Sequence, residues 1–169
     1  MITLVFGGTR SGKSALALRK AGSFPGRKAY IATARALDPE MEERIRAHKA
    51  QRGEEWDTFE EPVHLREALS RAAGNYGAII VDCLTLWLSN ILHTDAAPEN
   101  EITALTDMLA RADERSDIYL VSNEVGMGIV PDNALARRFR DLSGTMNQRI
   151  ADVAREVYFV AAGLPLRLK

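Results

Sequence analysis

The sequence of 169 residues contains one cysteine, Cys83, and no excess of positive charge. A single thiol cannot form an internal disulfide or a multi-cysteine zinc site, so we expect Cys83 to be buried in a cytoplasmic protein. The 22 lysine and arginine residues are balanced by 23 aspartate and glutamate residues. This balance argues against nucleic acid as a partner, because nucleic-acid-binding domains usually carry a surplus of basic side chains.

Long apolar runs are also missing. The most apolar segment, Ile79 to Leu92, is interrupted by polar residues and is shorter than the about 20 residues that cross a bilayer. The N-terminus has no basic segment followed by an apolar stretch and a small-residue cleavage site, as a secretory signal would have. We therefore expect neither an integral membrane segment nor an export signal.

Short apolar runs alternate with amphipathic stretches along the chain, which predicts strands alternating with helices. The predicted strands are Ile2 to Phe6, Ala29 to Thr33, Ala78 to Asp82, Ile118 to Ser122 and Val157 to Ala161, with a candidate edge strand at Leu164 to Leu168. The predicted helices are Lys13 to Lys20, Pro39 to about Arg52 with Asp38 as N-cap, Pro62 to Ala73, Leu84 to Leu92, Ile102 to Ala112, and a long one from Asp132 or Asn133 to Val153. Residues 93–100 are predicted to form a loop.

This alternation predicts right-handed crossovers and a mainly parallel sheet with helices on both faces, which is an α/β fold. The chain shows no internal repeat, low-complexity tract or linker. We therefore expect residues 1–169 to form a single domain.

A glycine-rich segment between the first strand and the first helix matches the phosphate-loop pattern G-x-x-x-x-G-K-[ST]. It reads Gly7-Gly8-Thr9-Arg10-Ser11-Gly12-Lys13-Ser14. Backbone N–H groups of such a loop wrap a polyphosphate at a helix N-terminus, the lysine pairs with β and γ oxygens, and the serine hydroxyl can ligate Mg²⁺. A glycine turn with an incidental lysine is the alternative. The agreement of the motif with both flanking elements favours the phosphate loop.

Asp82 ends the apolar run Ala78 to Val81, where a parallel strand delivers a carboxylate to the crevice beyond its carboxyl end. This Walker-B-like position is suited to hold Mg²⁺ directly or through water. The alternative is that Asp82 caps the helix that starts at Leu84, and the two roles are compatible.

His48 lies in the predicted helix after Pro39, on one face with Met41 and Ile45. This apolar spacing by itself favours a half-buried structural histidine. The basic residues around it could instead gather phosphates near an imidazole nucleophile; they are Arg44, Arg46, Lys49 and Arg52. They could equally form a solvated face paired with nearby glutamates, so the spacing leaves these interpretations open.

Five segments, in order along nearly the whole chain, resemble the family of bifunctional adenosylcobinamide kinase / adenosylcobinamide-phosphate guanylyltransferases of cobalamin biosynthesis. They are the phosphate loop, Tyr30 to Ala34, Glu40 to Lys49, Val81 to Asn90 and Ser122 to Pro131. The phosphate loop is common to many nucleotide-binding proteins, whereas Asn-Glu-Val-Gly-Met-Gly-Ile-Val-Pro and the closing Ala-Gly-Leu-Pro-Leu are far more specific. A short connection around residues 93–116 is the main departure and leaves these motifs intact.

The resemblance implies a RecA-like P-loop NTPase fold, a homotrimer and two reactions on one corrinoid. ATP or GTP first phosphorylates adenosylcobinamide. GTP then gives GMP to a histidine, and the phosphorylated corrinoid takes that GMP to become adenosylcobinamide-GDP. The resemblance implies two catalytic residues, His48 as the nucleophile and Lys13. The implied nucleotide contacts are the phosphate loop and Ala32, Thr33, Ala34, Lys49, Ala50, Gln51, Arg52, Glu60 and Asp82.

Two other functions are compatible with the same residues. A P-loop small-molecule kinase would use the phosphate loop without a covalent intermediate. A nucleotide-dependent switch would need a partner surface, and the absence of an Asn-Lys-x-Asp guanine-reading motif weakens that hypothesis. The apolar face of Leu84 to Leu92 is a candidate subunit interface, with core packing as the alternative.

Overall fold

A computed structural model describes residues 1–36, 39–50, 52–112 and 115–169 of the chain. Some side chains within residues 39–50 lie outside the described set; they are those of Glu40, Met41, Arg44, Ala47, His48 and Ala50. The predicted N-cap Asp38 and the predicted nucleotide contact Gln51 also lie outside the described residues.

Strands and helices alternate through these ranges, as predicted. The strands are β1 (Ile2–Gly7), β2 (Lys28–Ala32), β3 (Trp56–Glu60), β4 (Ala78–Asp82), β5 (Asp117–Asn123), β6 (Glu156–Ala161) and β7 (Leu164–Arg167). The helices are α1 (Lys13–Gly22), α2 (Pro39–Ala50), α3 (Leu65–Ala72), α4 (Leu84–Ile91), α5 (Pro98–Ala110) and α6 (Ala134–Val153). None of these described helices is both long and apolar enough to cross a membrane.

The strands form one sheet in the order β3-β2-β4-β5-β1-β6-β7. All neighbouring pairs are parallel except β6 and β7, which are antiparallel. The fifth strand of the chain therefore lies between the first and the fourth. Because β1, β4 and β5 run in the same direction, their carboxyl ends meet at one edge, where open α/β sheets bind ligands.

Side chains alternate between two apolar clusters on opposite faces of the sheet. In β4, Ile79 and Val81 pack with helices α3 to α6, whereas Ala78 and Ile80 pack with α1. This two-residue alternation is that of a strand buried on both faces. The predicted α/β sheet with helices on both faces is confirmed.

Two elements differ from the sequence prediction. β3 was not expected, because this edge strand carries Asp57 and Glu60 and has no fully buried residue to give it an apolar run. α5 starts within the predicted loop of residues 93–100. Its first residue is Pro98. Proline has no N–H, but the first N–H groups of a helix have no hydrogen-bond acceptor within the helix, so proline is tolerated at this position.

The apolar face of α4 packs into the core of the chain. Leu84, Trp87 and Leu88 are fully buried, and the Trp87 Nε1 donates to the Val63 carbonyl oxygen at 2.8 Å. Core packing, the alternative to a subunit interface, is therefore the role of this face.

Cys83 is buried as predicted, and burial together with the adjacent Asp82 carboxylate raises the pKa of its thiol to about 12. Less thiolate, the reactive form, is then present at any lower pH.

We expect iodoacetamide at pH 8 to alkylate native Cys83 at least about 100-fold more slowly than Cys83 in the urea-unfolded chain, since each unit of pKa is a factor of ten. A mass-spectrometric time course measures both rates, and equal rates would contradict the burial.

Candidate active site

The phosphate loop packs closely against the end of β6. A Cβ on Gly7 would lie 2.2 Å from the Val160 carbonyl oxygen, and a Cβ on Gly12 would lie 3.1 Å from the Gly163 Cα. Gly12 also has a φ of +96°, which side-chain-bearing residues rarely adopt. The Gly163 N–H donates to the Ser11 carbonyl oxygen at 2.8 Å. The turn between β6 and β7 thus supports the loop.

Lys13 and Ser14 follow directly, because α1 begins where the loop ends. The unpaired N–H groups of its first turn, at the positive end of the helix dipole, are suited to an anion. Lys13 is 8% exposed, and its Nζ donates to the Gly8 carbonyl oxygen at 3.1 Å. An ammonium group held over the loop can exchange this carbonyl for a phosphate oxygen.

Asp82 stands at the carboxyl end of β4 on the α1 side of the sheet, as its alternation with Ile80 requires. The Tyr30 hydroxyl donates to Asp82 Oδ2 at 2.7 Å. Burial and the nearby Asp82 carboxylate raise the pKa of Tyr30 above its ordinary value, so the phenol stays a donor. Helix α4 takes Cys83, not Asp82, as its N-cap residue.

Arg52 covers the ring of Tyr30, with Cζ 3.8 Å from the ring centroid. Partial burial lowers the pKa of Arg52, and the negative charge of Asp82 opposes that shift. The Arg52 Nη1 and the Ser11 Oγ are buried and have no hydrogen-bond partner among the described residues. Because buried polar groups are normally hydrogen-bonded, these two donors are suited to an anionic ligand.

These groups line a pocket of about 510 Å³. Most of the predicted site residues lie on its wall; they are Thr9, Arg10, Ser11, Gly12, Lys13, Ser14, Ala32, Ala34, Lys49, Arg52 and Asp82. The pocket therefore joins the phosphate loop, the end of β2, the last turn of α2 and the end of β4.

Other predicted residues do not line this pocket. Gly7 and Gly8 belong to the loop but not to the pocket wall. Thr33 is fully buried, and its hydroxyl donates to the Cys83 carbonyl oxygen at 2.7 Å and accepts from the Cys83 N–H at 2.8 Å. Thr33 therefore joins the ends of β2 and β4. Glu60 is exposed and pairs with Lys49 at 2.5 Å.

Helix α2 presents Ile45 and Lys49 to the pocket. The ion pair between Lys49 and Glu60 ties the end of this helix to β3. His48 belongs to α2, three residues after Ile45, and its side chain, like that of Ala50, lies outside the described residues.

Two polar residues of the pocket, Tyr30 and Asn123, are not among the residues predicted from the sequence. Asn123 carries the same signal as Asp82, because it is a polar residue that follows an apolar strand. Tyr30 carries no such signal, since it is one aromatic residue within a buried strand and only the hydrogen bond to Asp82 reveals its role.

Comparison with known sequences gives close matches over the whole length. A family model described as cobinamide kinase / cobinamide phosphate guanyltransferase matches residues 3–168. The bifunctional adenosylcobalamin biosynthesis protein CobP of Pseudomonas aeruginosa is 45% identical, over 100% of this chain and 98% of that protein. The bifunctional adenosylcobalamin biosynthesis protein CobU of Salmonella typhimurium is 40% identical, over 100% of both chains.

Solved structures share the fold at low sequence identity. The crystal structure of the RadB recombinase superposes with a TM-score of 0.54 at 14% identity, covering 94% of this chain and 73% of that one. The P4 protein of bacteriophage phi6 in complex with ADP superposes with a TM-score of 0.52 at 15% identity, covering 98% of this chain and 53% of that one. The predicted RecA-like P-loop fold is confirmed.

The close packing of the phosphate loop predicts different effects of alanine at two adjacent glycines. Gly7→Ala should lower the free energy of unfolding by about 1–3 kcal/mol or more, because its Cβ would overlap the Val160 carbonyl oxygen. Gly8→Ala is the matched control, since its Cβ would meet nothing within 4 Å. Urea unfolding followed by circular dichroism measures both variants. Equal stabilities would show that the loop does not depend on this contact.

Proposed function

The chain belongs to the cobinamide kinase / cobinamide phosphate guanyltransferase family, and we propose that it performs both reactions of that name at the pocket lined by the phosphate loop. It is a bifunctional kinase and guanylyltransferase of cobalamin biosynthesis. In the first reaction, adenosylcobinamide takes the γ-phosphoryl group of ATP or GTP. In the second, the phosphorylated product takes GMP from GTP.

The convergence of donors and cations on one pocket is the observation that carries the proposal. Lys13 and Arg52 supply positive charge, the buried Ser11 hydroxyl supplies a donor, and α1 supplies N–H groups. Fixed groups of this kind bind a triphosphate and stabilise the charge that moves during phosphoryl transfer.

Ser14 and Asp82 line the same pocket and fit a Mg²⁺ ion bound together with a nucleotide. Mg²⁺ usually takes one or two carboxylates plus substrate phosphates and several waters, so a hydroxyl and one carboxylate suffice. Within the described residues there is no group of three acidic, histidine or cysteine side chains that could hold a metal. When bound, the ion would neutralise charge on the β and γ oxygens. Tyr30 would orient the Asp82 carboxylate through its hydrogen bond.

In the kinase reaction, the aminopropanol hydroxyl oxygen of the corrinoid bonds to the γ-phosphorus. The bond from that phosphorus to the β–γ bridging oxygen breaks, its electron pair leaves with the nucleoside diphosphate, and the hydroxyl proton passes to solvent. Lys13, at the start of α1, is placed to hold the β and γ oxygens through this change.

In the guanylyl reaction, we assign His48 as the nucleophile. Ile45 and Lys49 line the pocket, and helical spacing makes His48 a neighbour of both along α2. A neutral imidazole nitrogen bonds to the α-phosphorus of GTP, and pyrophosphate leaves. A phosphate oxygen of the corrinoid then displaces the imidazole to form the diphosphate bond.

The resemblance also leads us to propose a homotrimer in the cytoplasm. Several large apolar side chains are exposed in the described structure and offer contact surfaces for subunits or the corrinoid; they are Val125, Met127, Ile129, Val130, Leu135, Leu164, Leu166 and Leu168.

Replacement of Lys13 tests the phosphate site. Lys13→Ala removes the ammonium group that lies over the loop, so GTP affinity should fall and both activities should drop about 1,000-fold or more. Lys20→Ala is the control, because Lys20 is on the same helix and pairs with Glu156 instead. Calorimetric titration with GTP and turnover assays measure the effects. A Lys13→Ala enzyme with normal kinetics would exclude the phosphate-loop assignment.

Replacement of His48 tests the covalent intermediate. The wild-type protein should gain the mass of one GMP on incubation with GTP, as an acid-labile and base-stable phosphoramidate. His48→Ala should lose this labelling, still bind nucleotide and retain kinase activity at least in part, since the kinase reaction uses the corrinoid hydroxyl as its nucleophile. Denaturing electrophoresis with labelled GTP follows the adduct.

Two comparisons make the His48 result decisive. His64→Ala should label normally, because His64 is exposed at the start of α3. Addition of phosphorylated adenosylcobinamide should release the label from the wild-type protein. Labelling of a folded His48→Ala protein at the wild-type rate would exclude His48. A wild-type kinase that never labels would identify a small-molecule kinase without the intermediate.

A further inference from the structure

An exposed apolar loop follows the strand that ends at the phosphate site. Residues 124–133 join β5 to α6, and we call them the β5–α6 loop. Within this loop Ile129 is 98% exposed, Met127 is 79% exposed and Val130 is 56% exposed. Large apolar side chains that lie together on a surface mark a site that another molecule covers. The β5–α6 loop is therefore a candidate binding surface.

The β5–α6 loop starts at the wall of the nucleotide pocket. Asn123, the last residue of β5, lines that pocket, and the N–H of the next residue, Glu124, donates to the Gly7 carbonyl oxygen of the phosphate loop at 3.0 Å. The pocket of about 510 Å³ has the size of a site for one small ligand. A nucleotide bound on the phosphate loop therefore leaves the larger corrinoid outside the pocket, at the edge of the sheet where the β5–α6 loop begins.

Hydrogen bonds hold both ends of the β5–α6 loop. Near its start, the Glu124 carboxylate accepts from the Gly126 N–H. At its other end, Arg137 Nη1 donates to the carbonyl oxygens of Pro131 and Asp132 at 2.8 Å and 2.6 Å. The apolar side chains between these anchors thus project from a backbone that is fixed before any ligand binds. Binding to such a surface costs less conformational entropy than binding to a segment that must first become ordered.

The groups that the loop exposes match the chemistry of a corrinoid. A corrinoid is a macrocycle with apolar faces and with carboxamide arms around its rim. Exposed apolar side chains of the loop fit such a face. The backbone N–H groups of Val125, Met127, Ile129 and Val130 have no hydrogen-bond acceptor among the described residues. Each carboxamide arm carries an oxygen that can accept from these donors.

The charge of the loop favours the same ligand. Residues 124–133 include the carboxylates of Glu124 and Asp132 and no basic residue. A nucleotide would be repelled by these charges, whereas an alkylated cobalt(III) corrinoid carries a net positive charge and would be attracted. The acidic loop and the cationic phosphate site next to it therefore favour different substrates.

We propose that the β5–α6 loop is the platform on which the corrinoid macrocycle rests in both reactions, with Met127, Ile129 and Val130 against one face of the ring. This inference rests on the proposed function. The aminopropanol arm then extends from the ring toward the pocket, where its hydroxyl oxygen meets the γ-phosphorus. In the second reaction the same arm brings its phosphate to the α-phosphorus. Loss of the platform should therefore weaken corrinoid binding in both reactions by the same factor.

Polar replacement of the exposed apolar side chains tests the platform in the kinase reaction. Ile129→Ser and Met127→Ser should each raise KM for adenosylcobinamide about tenfold, as expected for the loss of one apolar contact. The kcat and the KM for GTP should stay within about twofold, because a contact made equally in the ground state and the transition state affects KM alone. Ile129→Leu keeps an apolar side chain of the same size and should return KM to within about twofold of the wild-type value.

The guanylyl reaction supplies an internal control, because its first half needs no corrinoid. With GTP alone, both serine variants should gain the GMP label at the wild-type rate. Release of the label should need an about tenfold higher concentration of phosphorylated adenosylcobinamide, which is the factor expected in the kinase reaction. A variant that needs more corrinoid in one reaction but not in the other would overturn the shared platform.

Direct binding and assembly mass separate the platform from a contact between copies of the chain. Calorimetric titration of the GMPPNP-bound protein with adenosylcobinamide measures the affinity, light scattering measures the mass, and circular dichroism checks the fold. Because Ile129 is 98% exposed, Ile129→Ser should fold normally. Weaker corrinoid binding at the wild-type assembly mass would support the platform. Weaker binding that accompanies a smaller assembly would overturn it and identify the loop as a subunit contact.

The same measurements distinguish failure of the platform from failure of the proposed function. An active wild-type enzyme whose two serine variants keep the wild-type KM and affinity for the corrinoid would overturn the platform alone. A wild-type protein that binds GTP but neither binds nor phosphorylates adenosylcobinamide would overturn both the proposed function and the platform.

Discussion

The contact between the phosphate loop and the end of β6 leaves no space for a side chain. A Cβ on Gly7 would overlap the Val160 carbonyl oxygen, and Gly12 lies against Gly163. The loop conformation, the start of α1 and the position of Lys13 all follow from this contact, since each is connected to the next by a few bonds. Residues near the two ends of the chain thus build one anion site, and the closing Ala-Gly-Leu-Pro-Leu segment contributes the turn that supports the loop.

The rest of the site gathers around that loop because parallel strands end at one edge of the sheet. Asp82 and Asn123 come from β4 and β5, and Tyr30 fixes the Asp82 carboxylate from β2. Arg52 reaches the same place after α2, whose end is tied to β3 by the Lys49–Glu60 pair. One set of cations and donors can therefore serve phosphoryl transfer, and the helix that carries His48 borders the same pocket.

The local pattern of the chain predicted most of this architecture. β4 is predicted to the residue, and α6 begins where Asn133, one of its two predicted caps, accepts from the Ala136 N–H at 3.1 Å. β3 was missed because an edge strand with charged residues buries too little to form an apolar run. The predicted loop of residues 93–100 includes the first turn of α5. Proline is common both in loops and at the first position of a helix, so Pro98 and its sequence neighbours do not show which of the two is formed.

The sequence by itself determined the phosphate loop, Asp82 and the alternation of strands and helices, because each depends on residues that are neighbours along the chain. The tertiary structure alone decided that β5 lies between β1 and β4, which brings Asn123 to the pocket, and that Gly163 supports Gly12. It also decided that Thr33 joins two strands and that Tyr30 holds Asp82. The physical reason is that strand order and close packing depend on contacts between distant segments, which form only as the whole core is buried and leave no periodic pattern in the sequence.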